Sequence, residues 1–136
     1  MDFWRIAMRP GKPLMFGALG PQAVIGLPGN PVSTMVCAIL FLGPLIKQML
    51  GRDDVDPPLR RARLGAAMKE NDRREDYVRA TLATNKDGES IATPFPVQDS
   101  SMMSVYAASD ALIRRPPHGE SAGEGDPVEI IPLDIA

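Results

Sequence analysis

Ile25-Gly26-Leu27-Pro28-Gly29-Asn30-Pro31-Val32-Ser33 decides how this chain is to be read. An apolar run, Ala23-Val24-Ile25, halts at Gly26. A stiff Pro-Gly-Asn-Pro turn follows, and a long apolar stretch begins at Val32. The order is strand, turn, helix. Pro31 suits the first helical position, where its missing N–H has no intrahelical partner to lose. Asn30 before it is a good N-cap, because its side-chain oxygen can accept from an orphan amide. Gly29 permits a sharp turn and a close approach. Free amides and the positive end of a helix dipole make such a turn a natural anion site. An ordinary strand-to-helix connection would carry the same residues, and the stretch taken alone favours that plainer reading.

Upstream, Trp4, Ile6 and Met8 recur with period two, so residues 2–8 read as a strand. Arg9-Pro10-Gly11-Lys12-Pro13 breaks it, since two prolines and a glycine cannot continue a ladder. Residues 14–19 form a second short strand and 23–27 a third. The third is almost continuously apolar, as a strand covered on both faces would be. Downstream, 32–50 reads as a helix, apolar nearly all round and therefore expected to be buried on most sides. Gly43-Pro44 should kink or split it, and Gly51 is a suitable C-terminal cap.

Asp53-Asp54-Val55-Asp56-Pro57-Pro58 is a polar, proline-ended linker, and it divides the chain into residues 1–52 and 53–136. Beyond it, 59–68, 76–83, 89–94, 111–114 and 128–133 read as short strands, with Asn85-Lys86-Asp87-Gly88 as a hairpin turn. That spacing predicts a small all-β barrel or sandwich. Residues 98–108 form a polar loop with a helical turn near 105–108, and 116–126 a loop expected to be mobile. The first part has strands and one helix but no cover for its other faces. It reads as the end of a larger α/β domain followed by a complete β domain.

At 136 residues the chain has room for one ordinary domain, or a small one plus part of another. A net charge of −2 and a pI near 5.3 argue against nucleic acid as a partner. One Cys and one His exclude a disulfide framework and a Cys/His zinc site. No signal-peptide pattern opens the sequence, and the apolar stretch 35–46 is interrupted and short for a bilayer. A soluble, cytoplasmic protein without a membrane partner is the expectation.

Two turns could carry chemistry. Arg9 and Lys12 share one, and Asn30 and Ser33 share the other. If the strands 14–19 and 23–27 are neighbours, both turns open at one end of the sheet, where ligands of open α/β sheets bind. Two cations, helix-end amides and a hydroxyl suit an anion. In the β region, Arg73 and Arg74 read as a solvated face. Arg79 alternates with Tyr77 inside a strand, so its guanidinium must find a partner or face a cleft. Gln98-Asp99-Ser100-Ser101 adds hydroxyls and amides. His118 lacks an evident acidic partner and Cys37 reads as core packing. Neither a phosphate loop nor a dinucleotide glycine fingerprint is present.

Met8-Arg9-Pro10-Gly11-Lys12-Pro13, then Gly26-Leu27-Pro28-Gly29-Asn30-Pro31-Val32-Ser33, resembles the C-terminal part of the molybdopterin molybdenumtransferases, the MoeA family, related to the E domain of gephyrin. Arg74-Glu75-Asp76-Tyr77-Val78-Arg79-Ala80, Gln98-Asp99-Ser100-Ser101 and the closing Gly125-Asp126-Pro127-Val128-Glu129-Ile130-Ile131 extend the resemblance over essentially the whole chain. It implies a homodimeric enzyme that inserts molybdate into adenylylated molybdopterin with magnesium, releasing AMP and molybdenum cofactor. It also implies the end of a molybdopterin-binding α/β domain followed by a small β-barrel lining the same cleft. By motif match, Lys12 and Arg9 would be the catalytic pair. Gly11, Pro28, Gly29, Asn30, Pro31, Ser33, Arg79 and Ser100 would hold the ligand or molybdate. Arg9 departs from the lysine frequent in the family, keeping the charge but not the geometry. The family's phosphate-binding turn, acidic metal ligands and dimer-forming domain lie upstream of the matched region, so no metal ligand is assigned and the chain alone is expected to be inactive. A non-catalytic scaffold of the gephyrin type is the second reading.

Overall fold

The computed structural model describes residues 6–11, 14–98 and 103–133. Its elements run β1 (Met8–Arg9), β2 (Met15–Leu19), β3 (Gln22–Gly26), α1 (Pro31–Cys37), a π-helical turn (Ala38–Leu42), α2 (Gly43–Met49), β4 (Arg60–Leu64), β5 (Glu75–Thr84), β6 (Ser90–Pro94), α3 (Met103–Ala107), β7 (Ala111–Arg115) and β8 (Pro127–Pro132). The sheet order β5-β6-β4-β8-β7 returns to β5 through a β5–β7 pairing, so these strands close into a small barrel. Closure removes free edges. β1 adds in parallel to the start of β5, with Met8 opposite Glu75 and Arg9 opposite Asp76.

The period-two alternation of the barrel strands sorts two cores. Inward-facing Val78, Ala80, Ala111, Ile113 and Ile130 meet Ala62, Leu64 and Ala92 inside the barrel. Alanines opposite larger residues are what so narrow an interior can hold. The alternate residues Tyr77, Leu112 and Ile131 face outward and pack on Met8, Leu14, Val32, Val36 and Cys37. Segments before and after the 53–58 linker therefore share a core.

Three expectations are corrected. β3, read as covered on both faces, pairs among the described residues only with β2, as a two-stranded antiparallel ribbon. A ribbon can lay one face on a core; Ile25 packs there, while Val24 is 48% exposed. The long helix buries Val32, Ser33, Val36 and Cys37, but Met35, Ile46 and Met49 are exposed. As the Gly43-Pro44 pair predicts, the stretch is divided: a π turn, Ala38–Leu42, separates α1 from α2, which starts at Gly43. Helical turns nevertheless continue from Pro31 to Met49, 19 residues, long and apolar enough by length and composition to cross a membrane. The π turn explains the continuity, because Gly43 N–H reaches back to the Ala38 carbonyl ahead of Pro44, which has no N–H to give. Finally, the 116–126 loop is tied down. Arg115, only 6% exposed, donates through Nη2 to the carbonyls of Lys69 (2.9 Å) and Glu120 (2.8 Å), and Ala122 bridges to Met68.

Candidate functional site

A cleft of about 430 Å³ opens where the turn after β1, the turn after β3 and the start of β5 converge. Arg9 and Gly11 line it from the first turn, Pro28, Gly29, Asn30 and Ser33 from the second. Arg74, Asp76, Arg79 and Gln98 come from the barrel. The two turns that sequence reading singled out are thus brought together. Pro31 is the first residue of α1 and does not line the cleft. Lys12 and Ser100 lie outside the described residues.

Asn30 caps the helix as expected, its Oδ1 accepting from Val32 N–H at 3.2 Å and Ser33 N–H at 3.5 Å. That capping takes up amides which the sequence offered to an anion. The cation side chains, not the helix end, therefore carry the cleft's charge. Thr34 adds a second tie, donating from Oγ1 to the carbonyls of Asn30, at 2.9 Å, and Pro28. Beside Gly29 a Cβ would meet nothing within 4 Å, so the cleft is open over this turn. Gly11 is different. Its φ of +121° excludes other residues, and a Cβ there would lie 2.5 Å from Cys37 Sγ and 2.5 Å from Met8 Cε. Gly11 lets the turn sit directly on the core.

Arg79 is buried at 3% exposure. Its Nη1 donates to the Tyr77 carbonyl at 2.8 Å and its Nη2 to the Gln98 carbonyl. The Gln98 side chain returns the grip, with Oε1 accepting from Arg79 N–H at 2.8 Å and Nε2 donating to the Arg79 carbonyl at 2.9 Å. Carbonyl partners orient a guanidinium without cancelling its charge. Burial pulls the Arg79 pKa below its ordinary value, and the nearby Asp76 carboxylate works against that fall.

Arg9 meets three partners from the barrel. Nη2 donates to Asn71 Oδ1 at 2.8 Å and lies 3.3 Å from Asp76 Oδ2, while Nη1 is 3.7 Å from Asp72 Oδ2. Arg9 Nε is buried with no partner among the described residues. Burial pushes the Asp76 carboxyl above the usual carboxylate range, against the pull of Arg9 and Arg79. Arg74, expected on a solvated face, is half-buried on the cleft wall and paired to Asp72 at 3.4 Å. Among the described residues, three arginines line the cleft with Asp76, and Asp72 lies against two of them. Sequence reading missed Asn71, Asp72 and Asp76. Asp76 stood in the 74–80 stretch at the head of β5, Asn71 and Asp72 in the connection before it, and nothing in the sequence places any of them beside Arg9.

For the magnesium that the resemblance implies, no group of three or more His, Cys, Asp or Glu among the described residues could hold a metal ion. Asp72 and Asp76 face Arg9 instead.

A family model for the MoeA C-terminal region (domain IV) matches residues 61–133. The molybdopterin molybdenumtransferase of Haemophilus influenzae is 31% identical over 135 residues, 98% of this chain and 33% of that protein. The molybdenum cofactor synthesis protein cinnamon of Drosophila melanogaster is 32% identical over 139 residues, 96% of this chain and 23% of that protein. The crystal structure of a molybdopterin biosynthesis moea protein from Pyrococcus horikosii superposes with a TM-score of 0.78 at 27% identity, covering 96% of this chain and 31% of that one. The chain thus spans about a third or less of the length of these relatives.

Proposed function

Because the chain belongs to the MoeA family, we propose that its cleft forms one wall of the site where molybdate is inserted into adenylylated molybdopterin. The family points to molybdenum cofactor biosynthesis. The observation that carries the finer reading is the gathering of Arg9, Arg74 and Arg79 on one open cleft beside the 28–30 turn.

Three guanidiniums against two carboxylates, Asp76 on the cleft and Asp72 beside it, leave an excess of positive charge that favours an anion, and planar donor pairs fit phosphate and oxyanion oxygens. Arg79, locked by carbonyls, presents its charge at little entropic cost on binding. Arg9 serves as the second oriented cation, held against Asn71 and Asp76, with Lys12 as the other cation of the catalytic pair. The uncrowded backbone at Gly29 gives the ligand clearance, and Ser33 and Ser100 offer hydroxyls. Residues 1–52 are read as the end of an α/β domain whose other elements complete the cleft. Magnesium ligands and the contacts of a homodimer belong, on this reading, to the other two thirds of the family's length. The cytoplasm is the compartment such an enzyme would work in.

The test is calorimetric titration of the chain with adenylylated molybdopterin. Binding without turnover is expected, and Arg9→Ala should weaken it about tenfold, the loss of a charge-assisted hydrogen bond. Unchanged binding by Arg9→Ala would remove the cleft from the reading, and molybdenum insertion by this chain alone would overturn its expected inactivity.

A further inference from the structure

Asn71 stands outside the cleft, in the connection between β4 and β5, and its side-chain amide is fully engaged. Nδ2 faces three backbone carbonyls, of Arg74 at 2.6 Å, Pro116 at 3.0 Å and Arg115 at 3.3 Å. An oxygen in that place would meet acceptors only, so the amide cannot turn over. Oδ1 is thereby fixed on Arg9 Nη2 at 2.8 Å, closer than either carboxylate comes.

We propose that Asn71 is a positioning residue that aims the Arg9 guanidinium for an oxyanion in the cleft. The inference rests on the cleft reading above. Its physical content lies in the choice of a neutral amide. Asp72 and Asp76 already draw on Arg9, and a third carboxylate at 71 would neutralise the charge an anion needs. The amide orients the guanidinium and leaves its charge available. Three carbonyls, from the segments at 74 and at 115–116, anchor that amide, so Arg9 on β1 is held by the β4–β5 connection of the barrel.

The experiment is titration of the full chain with sodium molybdate, for the wild type, Asn71→Ala, Arg9→Ala and the double variant, with melting temperatures recorded for each. Asn71→Ala should weaken molybdate binding about tenfold, comparable with Arg9→Ala, and should add nothing further in the Arg9→Ala background. A residue that merely supports the fold would lower the melting temperature in both backgrounds and leave the cycle additive; that result overturns the proposal. Arg9→Ala weakened beside an Asn71→Ala that binds like wild type overturns this proposal and leaves the cleft reading standing. No binding by wild type, or an Arg9→Ala that binds as well, removes both. Should Asn71→Ala fail to fold, Asn71→Ser is carried through the same cycle. The NMR resonance of Arg9 Nε–H gives a ligand-free readout, expected to move in Asn71→Ser; an unmoved resonance also overturns the proposal.

Discussion

Tyr77 and Arg79 stand two apart on β5 and so emerge on the same side of the barrel wall, one into the shared core and one onto the cleft. Alternation made this legible, because an arginine inside a strand beside a tyrosine has few other places to go. Arg9 was half legible. Its cation was plain, but its partners lie more than sixty residues downstream, and only the parallel register of β1 on β5 brings them together. Tyr77 yields a pH prediction. Burial first, then its 2.8 Å hydrogen bond to Glu75 and that residue's charge, push the phenol up to about 12 from 10.0. Burial likewise pushes Cys37 up to about 11 from 9.0. Both groups hold their protons more tightly folded than unfolded, so stability is full below pH 9 and falls as pH rises through 9 to 12. Urea unfolding at pH 9, 10 and 11 should show this loss in the wild type. Tyr77→Phe should retain only the part that begins near pH 9, from the thiol. An unchanged slope in Tyr77→Phe would show that the phenol is not held as described.

At the level of elements, strands with period two and the helix behind Asn30-Pro31 were readable because each is dictated by local chemistry. Gly43-Pro44 marked the division of the helix, but the π turn that bridges its two segments was not readable, since it leaves no mark in composition. The exposure of β3 was misread for a related reason. Apolar residues in succession report what a strand can bury, not which of its faces has a neighbour. The cap at Asn30 ties the element level to the cleft, for it fixes both the helix start and the turn that lines the site. Asn30→Ala should cost about 1 kcal/mol of stability, as the loss of an N-cap does, with the Thr34 bonds to the same turn limiting the damage. Denaturant midpoints measure this. A cost near zero would mean that the Thr34 ties alone hold the turn.

For the whole molecule, the linker at 53–58 marks a change of composition, yet the core ignores it. Leu112 is fully buried and Tyr77 and Ile131 nearly so, and what covers them is Met8, Leu14, Val32, Val36 and Cys37 from the other side of the linker. Nothing local in either stretch announces that pairing, because each apolar residue is equally consistent with a core of its own segment. The consequence is a barrel that does not end at its own wall. A chain of residues 53–136 would keep the inner core around Val78 and Ile113 but uncover three large side chains, and it would lose the β1 ladder on β5. At about 1.5–3 kcal/mol for a large apolar side chain fully buried, partial uncovering of three amounts to roughly 3–6 kcal/mol. That is a large part of the stability of about 5–15 kcal/mol usual for a domain. The shortened chain should therefore unfold at a clearly lower denaturant concentration than the whole one, with Arg79 losing the opposite wall of its cleft. Equal midpoints for the two would mean that the outer core is a surface contact with little energy in it. The two walls of the cleft would then be free to part, and the site would need something other than this chain to hold it closed.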